Sequence, residues 1–356
     1  MWVADMEFKP PQAVTQALSS MVDHGVFGYY GDQSSYLNSI VSWMERRHNW
    51  QIDPAWIFTT HGLVNGTALC IDTYTEPGDG IILFTPVYHV FSKLIAAGNR
   101  RLVESPLVDR DGRYEMDLAE LESQLKGDEK MIVFCSPHNP CGRVWDKQEL
   151  KAVCDFCEKH DLILVSDEIH HDLVFPGNVH TVMPHASSNI SKRLIMMTAA
   201  TKTFNMAGGH SGNVIIEDED LRAKFASTMS RTGTSPNSFG ISMTEAAYNF
   251  GAEWLDQLID YLDKNRQLFD ERINAIPGLR SMKLEATYLA WVDFSGTGMS
   301  REEFTDRVQN TAKIATNYGP TFGAGGDNYL RFNFACPRAM LEEAISRMES
   351  AFADLQ

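Results

Sequence analysis

The sequence has no long apolar run, no excess of positive charge, few cysteines and no repeat, and each lack removes a class of function. No stretch approaches the roughly 18 consecutive apolar residues that cross a bilayer, so no transmembrane helix and no membrane partner are expected. Lys and Arg total 31 against 47 Asp and Glu, a formal net charge of −16. Such a chain has no basic field to neutralise phosphates, which argues against a nucleic-acid partner. An anionic ligand must therefore be held by positive groups gathered in one place. The six cysteines include one C-x-x-C, Cys154 and Cys157, inside the helical pattern "KQELKAVCDFCEKH". No second pair follows at a zinc-ribbon distance, so these read as helix residues with reduced thiols, as in a cytoplasmic protein. The opening "MWVADMEFKPPQAV" has no basic segment running into an apolar one, so no signal peptide is expected.

What is there reads as a globular protein: 44% apolar and 22% charged residues over 356 positions. That length exceeds what one core sustains and predicts a large domain with a smaller one. Unbroken apolar runs at 80–86, 130–137, 161–167, 193–199 and 212–217 read as strands covered on both faces. Amphipathic stretches at 63–78, 117–127 and 146–160 read as the helices between them. Strand alternating with helix predicts an α/β fold with a mostly parallel sheet sandwiched by helices. From about Glu253 the style changes. A long amphipathic helix stops at Pro277-Gly278, followed by strand (286–294), helix (301–313), strand (328–335) and helix (340–355). The expected division is a large domain over 13–252 and a small α+β domain built from 1–12 and 253–356.

In open α/β sheets, ligands bind beyond the carboxyl ends of the strands. There the sequence offers Tyr88 in "VYHVF", Asn139 in "HNPCG", Asp167 in "SDEIHHD" and Lys202 in "ATKTFNMAG". Each alone has an ordinary reading: core packing, a turn before proline, a helix cap, a solvated amine. The group Asp167, Glu168, His170 and His171 matches no metal-ligand spacing, and no metal is expected. One ligand accounts for all four rim residues together, and it is pyridoxal phosphate. Its aldehyde needs an amine to condense with, Lys202. Its ring nitrogen needs a carboxylate that keeps it protonated, Asp167. Its phenolic oxygen takes a donor, Asn139, and its flat ring takes an aromatic face, Tyr88. Gly62, Leu63 and Val64 open a predicted helix whose N–H groups suit the phosphate. Arg331, on a strand of the small domain, suits the carboxylate of an amino-acid substrate.

These segments resemble the fold-type I pyridoxal-phosphate enzymes of the aspartate aminotransferase superfamily. "HNPCG" is similar to its N-P-x-G motif, "SDEIH" to its cofactor-aspartate segment, "ATKTFNMAG" to its lysine segment and "LRFNFACP" to its carboxylate-arginine segment. More narrowly, "MWVADMEF", "GVFGYY", "TPVYHVF", "SPHNPCGRVW", "SDEIHHDLVF" and "TYLAWVDF" resemble the MalY/PatB-type carbon–sulfur lyases, cystathionine β-lyase and cystalysin among them. The resemblance implies a pyridoxal-phosphate transferase-like fold with a seven-stranded sheet, and a homodimer whose active sites are shared. It also implies that Tyr29 reaches the neighbouring subunit's phosphate. The sequence departs from the superfamily at Ala199, where a phosphate-binding serine is usual, and at His210, where an arginine is. Thr201 then becomes the hydroxyl donor, and His170 stands where the superfamily carries a tyrosine. Family members carry a short segment ahead of the motif that opens this chain, so a preceding segment is expected. The implied reaction is α,β-elimination from a sulfur amino acid to pyruvate, ammonia and a thiol. Transfer of an amino group to a 2-oxo acid is the alternative, and a regulatory protein with reduced catalysis a remote one.

Overall fold

In the computed structural model, which describes residues 1–355, seven strands form the main sheet. They are β1 (Ile57–Thr60), β2 (Gly80–Thr85), β3 (Arg101–Pro106), β6 (Glu129–Cys135), β7 (Ile163–Asp167), β8 (Leu194–Thr198) and β9 (Gly212–Ile215); β4 (Val108–Arg110) and β5 (Arg113–Glu115) make a separate hairpin. The order is β1-β9-β8-β7-β6-β2-β3, with β9 antiparallel to both its neighbours and the rest parallel. Alternate side chains explain why these strands are apolar throughout. Ile82, Phe84, Ile132, Phe134, Leu164 and Met196 enter one core; Ile81, Leu83, Met131, Val133, Val165 and Met197 enter a second core on the opposite face.

The second core is covered by α3 (Leu63–Tyr74), α4 (Val90–Ala97) and α8 (Glu219–Thr232). The first is covered by α2 (Ser34–His48), α6 (Lys147–Lys159) and α9 (Ser238–Phe250), among others. Asp146 starts α6 through a reciprocal capping box with Glu149, which fixes the boundary within one residue of the pattern-based expectation. The edge strands β1 and β3 carry no clear apolar run, and α1 (Gln12–His24) buries only Val14. These elements, together with α2, α4, α8 and α9, lie outside the sequence-based assignment.

The C-terminal part begins with α10 (Ala252–Asn274) and carries a second, antiparallel sheet: β10 (Arg280–Ser281), β11 (Leu289–Asp293), β13 (Tyr329–Asn333) and β12 (Asn317–Tyr318), in that spatial order. The expected helix over 301–313 is α11 (Arg301–Asp306) continued by a wider π-type turn, Arg307–Thr311. The chain ends in α12 (Arg338–Ala351). The N-terminal residues join this part: Asn333 N–H donates to Met1 O, and Glu7 N–H to Ala335 O, each at 2.9 Å.

Candidate active site

Register brings the strand ends level. Cys135 pairs with Asp167, and Asp167 with Met197, so β6, β7 and β8 finish on one rim. The chain leaves that rim through Asn139 after β6 and through the short helix α7 (Ala200–Thr203) after β8. A cavity of about 410 Å³ opens there, lined by Tyr88, Asn139, Asp167, His170, Thr201, Lys202 and Arg331 together with Gly62, Leu63 and Val64. The structure thus brings together every predicted site residue except Tyr29, which is fully exposed in the segment between α1 and α2.

Burial sets the electrostatics. Asp167 is 5% exposed and accepts one hydrogen bond, from Ile169 N–H at 3.1 Å. Loss of solvent lifts its carboxyl to about 7; neighbouring Glu168 adds to the rise, while the Ile169 N–H and Lys202 oppose it. A cation placed against that carboxylate would return it to its usual range. Lys202 is driven down to about 8, first by burial and then by the Arg331 charge. Its Nζ donates to Ala4 O, on the N-terminal segment. Burial also raises the Tyr88 phenol and lowers the His170 imidazole well below its ordinary value.

Arg331, on β13 and 3% exposed, is held by Asn139 Oδ1 at 2.9 Å, by Trp2 O and by Asn317 Oδ1. Those bonds use its two terminal nitrogens and leave Nε buried without a partner. The guanidinium lies over the Phe322 ring, 5.2 Å from its centre. Asn139 uses its carbonyl for Arg331, so its amide nitrogen stays out of that pair.

These groups fit pyridoxal phosphate. An amine, a carboxylate, an amide and an aromatic ring line one cavity, whose volume falls in the range of roughly 300–1,000 Å³ typical of ligand sites. His170 Nδ1 is buried on the cavity wall without a partner, an orphan that an acceptor on the ligand would satisfy. At the far end, α3 begins at Gly62 (φ +81) with no side chain capping its first turn and no acid within it. A Cβ on Gly212 would lie 2.7 Å from Leu63 Cδ2 and 2.9 Å from Gly62 C, so only glycine lets β9 abut this turn.

The model of the family "Aminotransferase class I and II" matches residues 3–348. The chain belongs to that family. Within it, the sequence is similar to cystathionine beta-lyase PatB of Bacillus subtilis (strain 168), 35% identical over 99% of this chain and 92% of the relative. Protein MalY of Escherichia coli (strain K12) is 30% identical over 98% of this chain and 90% of its own length. Cystalysin from Treponema denticola, solved with pyridoxal 5'-phosphate, superposes with a TM-score of 0.96 at 36% identity, covering 100% of this chain and 91% of that one. The chain is a fold-type I enzyme of the MalY/PatB type.

Several cavity residues of this family member escape sequence reasoning. His61, His89, Asn317 and the N-terminal residues Trp2, Val3 and Ala4 all border the cavity. The N-terminal segment is held there by Asn205, three residues after Lys202: its Oδ1 accepts from Met6 N–H, and its Nδ2 donates to Met6 O and Phe8 O. Asn333 Nδ2 likewise donates to Val3 O. The asparagine in "KTFN" was the available signal, but its partners lie 197 to 199 residues away. His210 also lines the cavity; Ala199 is 1% exposed and is absent from its wall.

Proposed function

We propose that this chain is a pyridoxal-phosphate-dependent carbon–sulfur β-lyase that converts a sulfur amino acid to pyruvate, ammonia and a thiol. The observation that carries the reading is the meeting of Lys202, Asp167 and Arg331 on one buried cavity, in a chain alignable over nearly its whole length with a cystathionine β-lyase. When bound, the cofactor supplies an electron sink for charge developing at the substrate's Cα.

This chain's own residues do the rest. Arg331 orients the substrate through its carboxylate, and its bonds to Asn139 and Asn317 fix the guanidinium beforehand. Lys202, lowered to about 8, has a substantial neutral fraction near pH 8 and can take the Cα proton through Nζ. Asp167 would keep the cofactor's ring nitrogen protonated; Asn139 and His170 would hold the phenolic oxygen, Tyr88 the ring, and Gly62, Leu63, Val64 and Thr201 the phosphate, all of them lining this cavity.

The active unit in this reading is a homodimer. Val22, Val26, Phe27, Tyr29 and Phe239 are all exposed, and the Phe27 ring lies 5.7 Å from that of Phe239, centre to centre. A second copy covering that patch would bring its Tyr29 to the phosphate. A cytoplasmic location belongs to the same proposal, supported by six free cysteines that are all buried.

The deciding experiment is incubation with L-cystathionine or L-cysteine without any 2-oxo acid. Pyruvate and thiol released in step support the lyase, whereas strict dependence on an added acceptor would make the enzyme an aminotransferase. Lys202→Ala should abolish turnover, a loss of at least about 10²–10⁴-fold, with the circular dichroism spectrum unchanged.

A further inference from the structure

Behind the catalytic rim lies a second group of chemically competent side chains. His48 ends α2, while His171 and Asp172 stand in the turn after β7. Their side chains are 7%, 0% and 1% exposed. A ring nitrogen of His48, one of His171 and a carboxylate oxygen of Asp172 all lie within 4.8 Å of one another. His48 Nε2 is 2.9 Å from Asp172 Oδ1, and His171 Nε2 is 3.3 Å from Asp172 Oδ2. Ligands bound at about 2.0–2.1 Å around a tetrahedral ion are spaced by about 3.3 Å, so small shifts suffice to accept one.

The hydrogen-bond pattern points the same way. His171 Nδ1 is 2.5 Å from Glu168 O, and a carbonyl only accepts, so Nδ1 carries the ring's proton. His171 Nε2 is therefore left with its lone pair, buried and without a hydrogen-bond partner, 3.3 Å from Asp172 Oδ2. A buried imidazole nitrogen left without a partner beside a carboxylate is a group that a bound cation would satisfy. The carboxylate is already oriented by Trp43 Nε1, at 3.1 and 3.2 Å from its two oxygens, and by Thr203 Oγ1 at 2.8 Å. A backbone carbonyl fixing the imidazole and donors fixing the carboxylate are the outer contacts that metal ligands use.

We propose that His48, His171 and Asp172 form a site for a divalent transition-metal ion of the zinc class. Two imidazoles disfavour magnesium and calcium, which prefer all-oxygen sites. His180 stands beside His48, 6.1 Å between ring centres, with Nε2 on Glu168 Oε2 at 2.7 Å, and borders the cluster as an outer contact. The ion would join the end of α2 to the turn that follows Asp167. Through Thr203 it also joins the residue beside Lys202, so its role is to hold the catalytic turn in place.

The test uses the holoenzyme after chelator dialysis, titrated with Co²⁺ for its visible d–d bands and with Zn²⁺ by calorimetry. One ion per chain is expected, with affinity at least tenfold weaker in His171→Gln and retained when the cavity residues His61 and His210 are both changed to Gln. Crystals soaked in zinc provide a readout that needs no variant: an anomalous peak between His48 Nε2 and His171 Nε2. No saturable binding, binding unaltered in His171→Gln, or a peak elsewhere would overturn the proposal. None of these readouts depends on the lyase reaction.

Discussion

At Asp167, confinement and chemistry pull against each other. In the cofactor-free protein, burial lifts this carboxyl to about 7, above its ordinary 3.8. The folded chain then holds the proton more tightly than the unfolded one. The associated stability is full below about pH 4 and is lost as pH rises through about 7. Asp167→Asn cannot ionise, so its cofactor-free form should melt above the parent at pH 8 and level with it near pH 4. With pyridoxal phosphate bound the order should reverse at pH 8, because an amide cannot pair with a protonated ring nitrogen. Calorimetry of the four species at both pH values checks this, and a pH-independent difference would sink it. Arg331 is the second residue-scale test. Its planar fork can take a carboxylate with two bonds, and a lysine cannot. Arg331→Lys should lower kcat/KM by about tenfold to a hundredfold, the value of a charge-assisted hydrogen bond, mostly through KM.

At the scale of elements, the loop after β6 does more than carry Asn139. Gly142, at φ +69, accepts through its carbonyl from Glu285 N–H at 3.0 Å and Ala286 N–H at 2.9 Å, docking this loop on the C-terminal part. A Cβ there would lie 2.6 Å from both Ala286 O and Leu284 Cδ2. Gly142→Ala should therefore cost about 2 kcal/mol or more, combining left-handed strain with the clash. Next to it, Arg143 is buried against Glu285 and Glu149, so loosening the loop exposes a charged network as well. The expected result is a lower Tm together with weaker substrate binding, since Asn139 in the same loop supports Arg331. Unchanged thermal unfolding would refute the docking role. The sequence could show the glycine of "NPCG" but not its partners, which lie more than 140 residues further along.

At the scale of the whole molecule, the proposed shared-site homodimer makes a quantitative prediction. Lys202→Ala and Tyr29→Ala each damage a site, but in a mixed dimer one site receives both intact residues. Equal mixing with subunit exchange should restore about one quarter of parental activity, since half the dimers are mixed and each has one good site. Sedimentation should give twice the 40.0 kDa chain mass. A monomer, or a mixture no more active than its parts, would remove the role proposed for Tyr29.

The sequence by itself determined the kind of chemistry and the framework that supports it. Short unbroken apolar runs between amphipathic helices read as strands covered twice, and an amine, a carboxylate, an amide and an aromatic ring at consecutive strand ends suit few ligands other than pyridoxal phosphate. Those signals are local, a few residues each, and so they survive in one dimension. The tertiary structure alone decided what depends on distance across the chain. It laid the N-terminal segment over Lys202 through Asn205, added His61 and His89 to the cavity wall, and set His48 against an aspartate 124 residues away. It also set the proton affinities of Asp167 and Lys202, because those follow from how much water and which charges the fold leaves beside them.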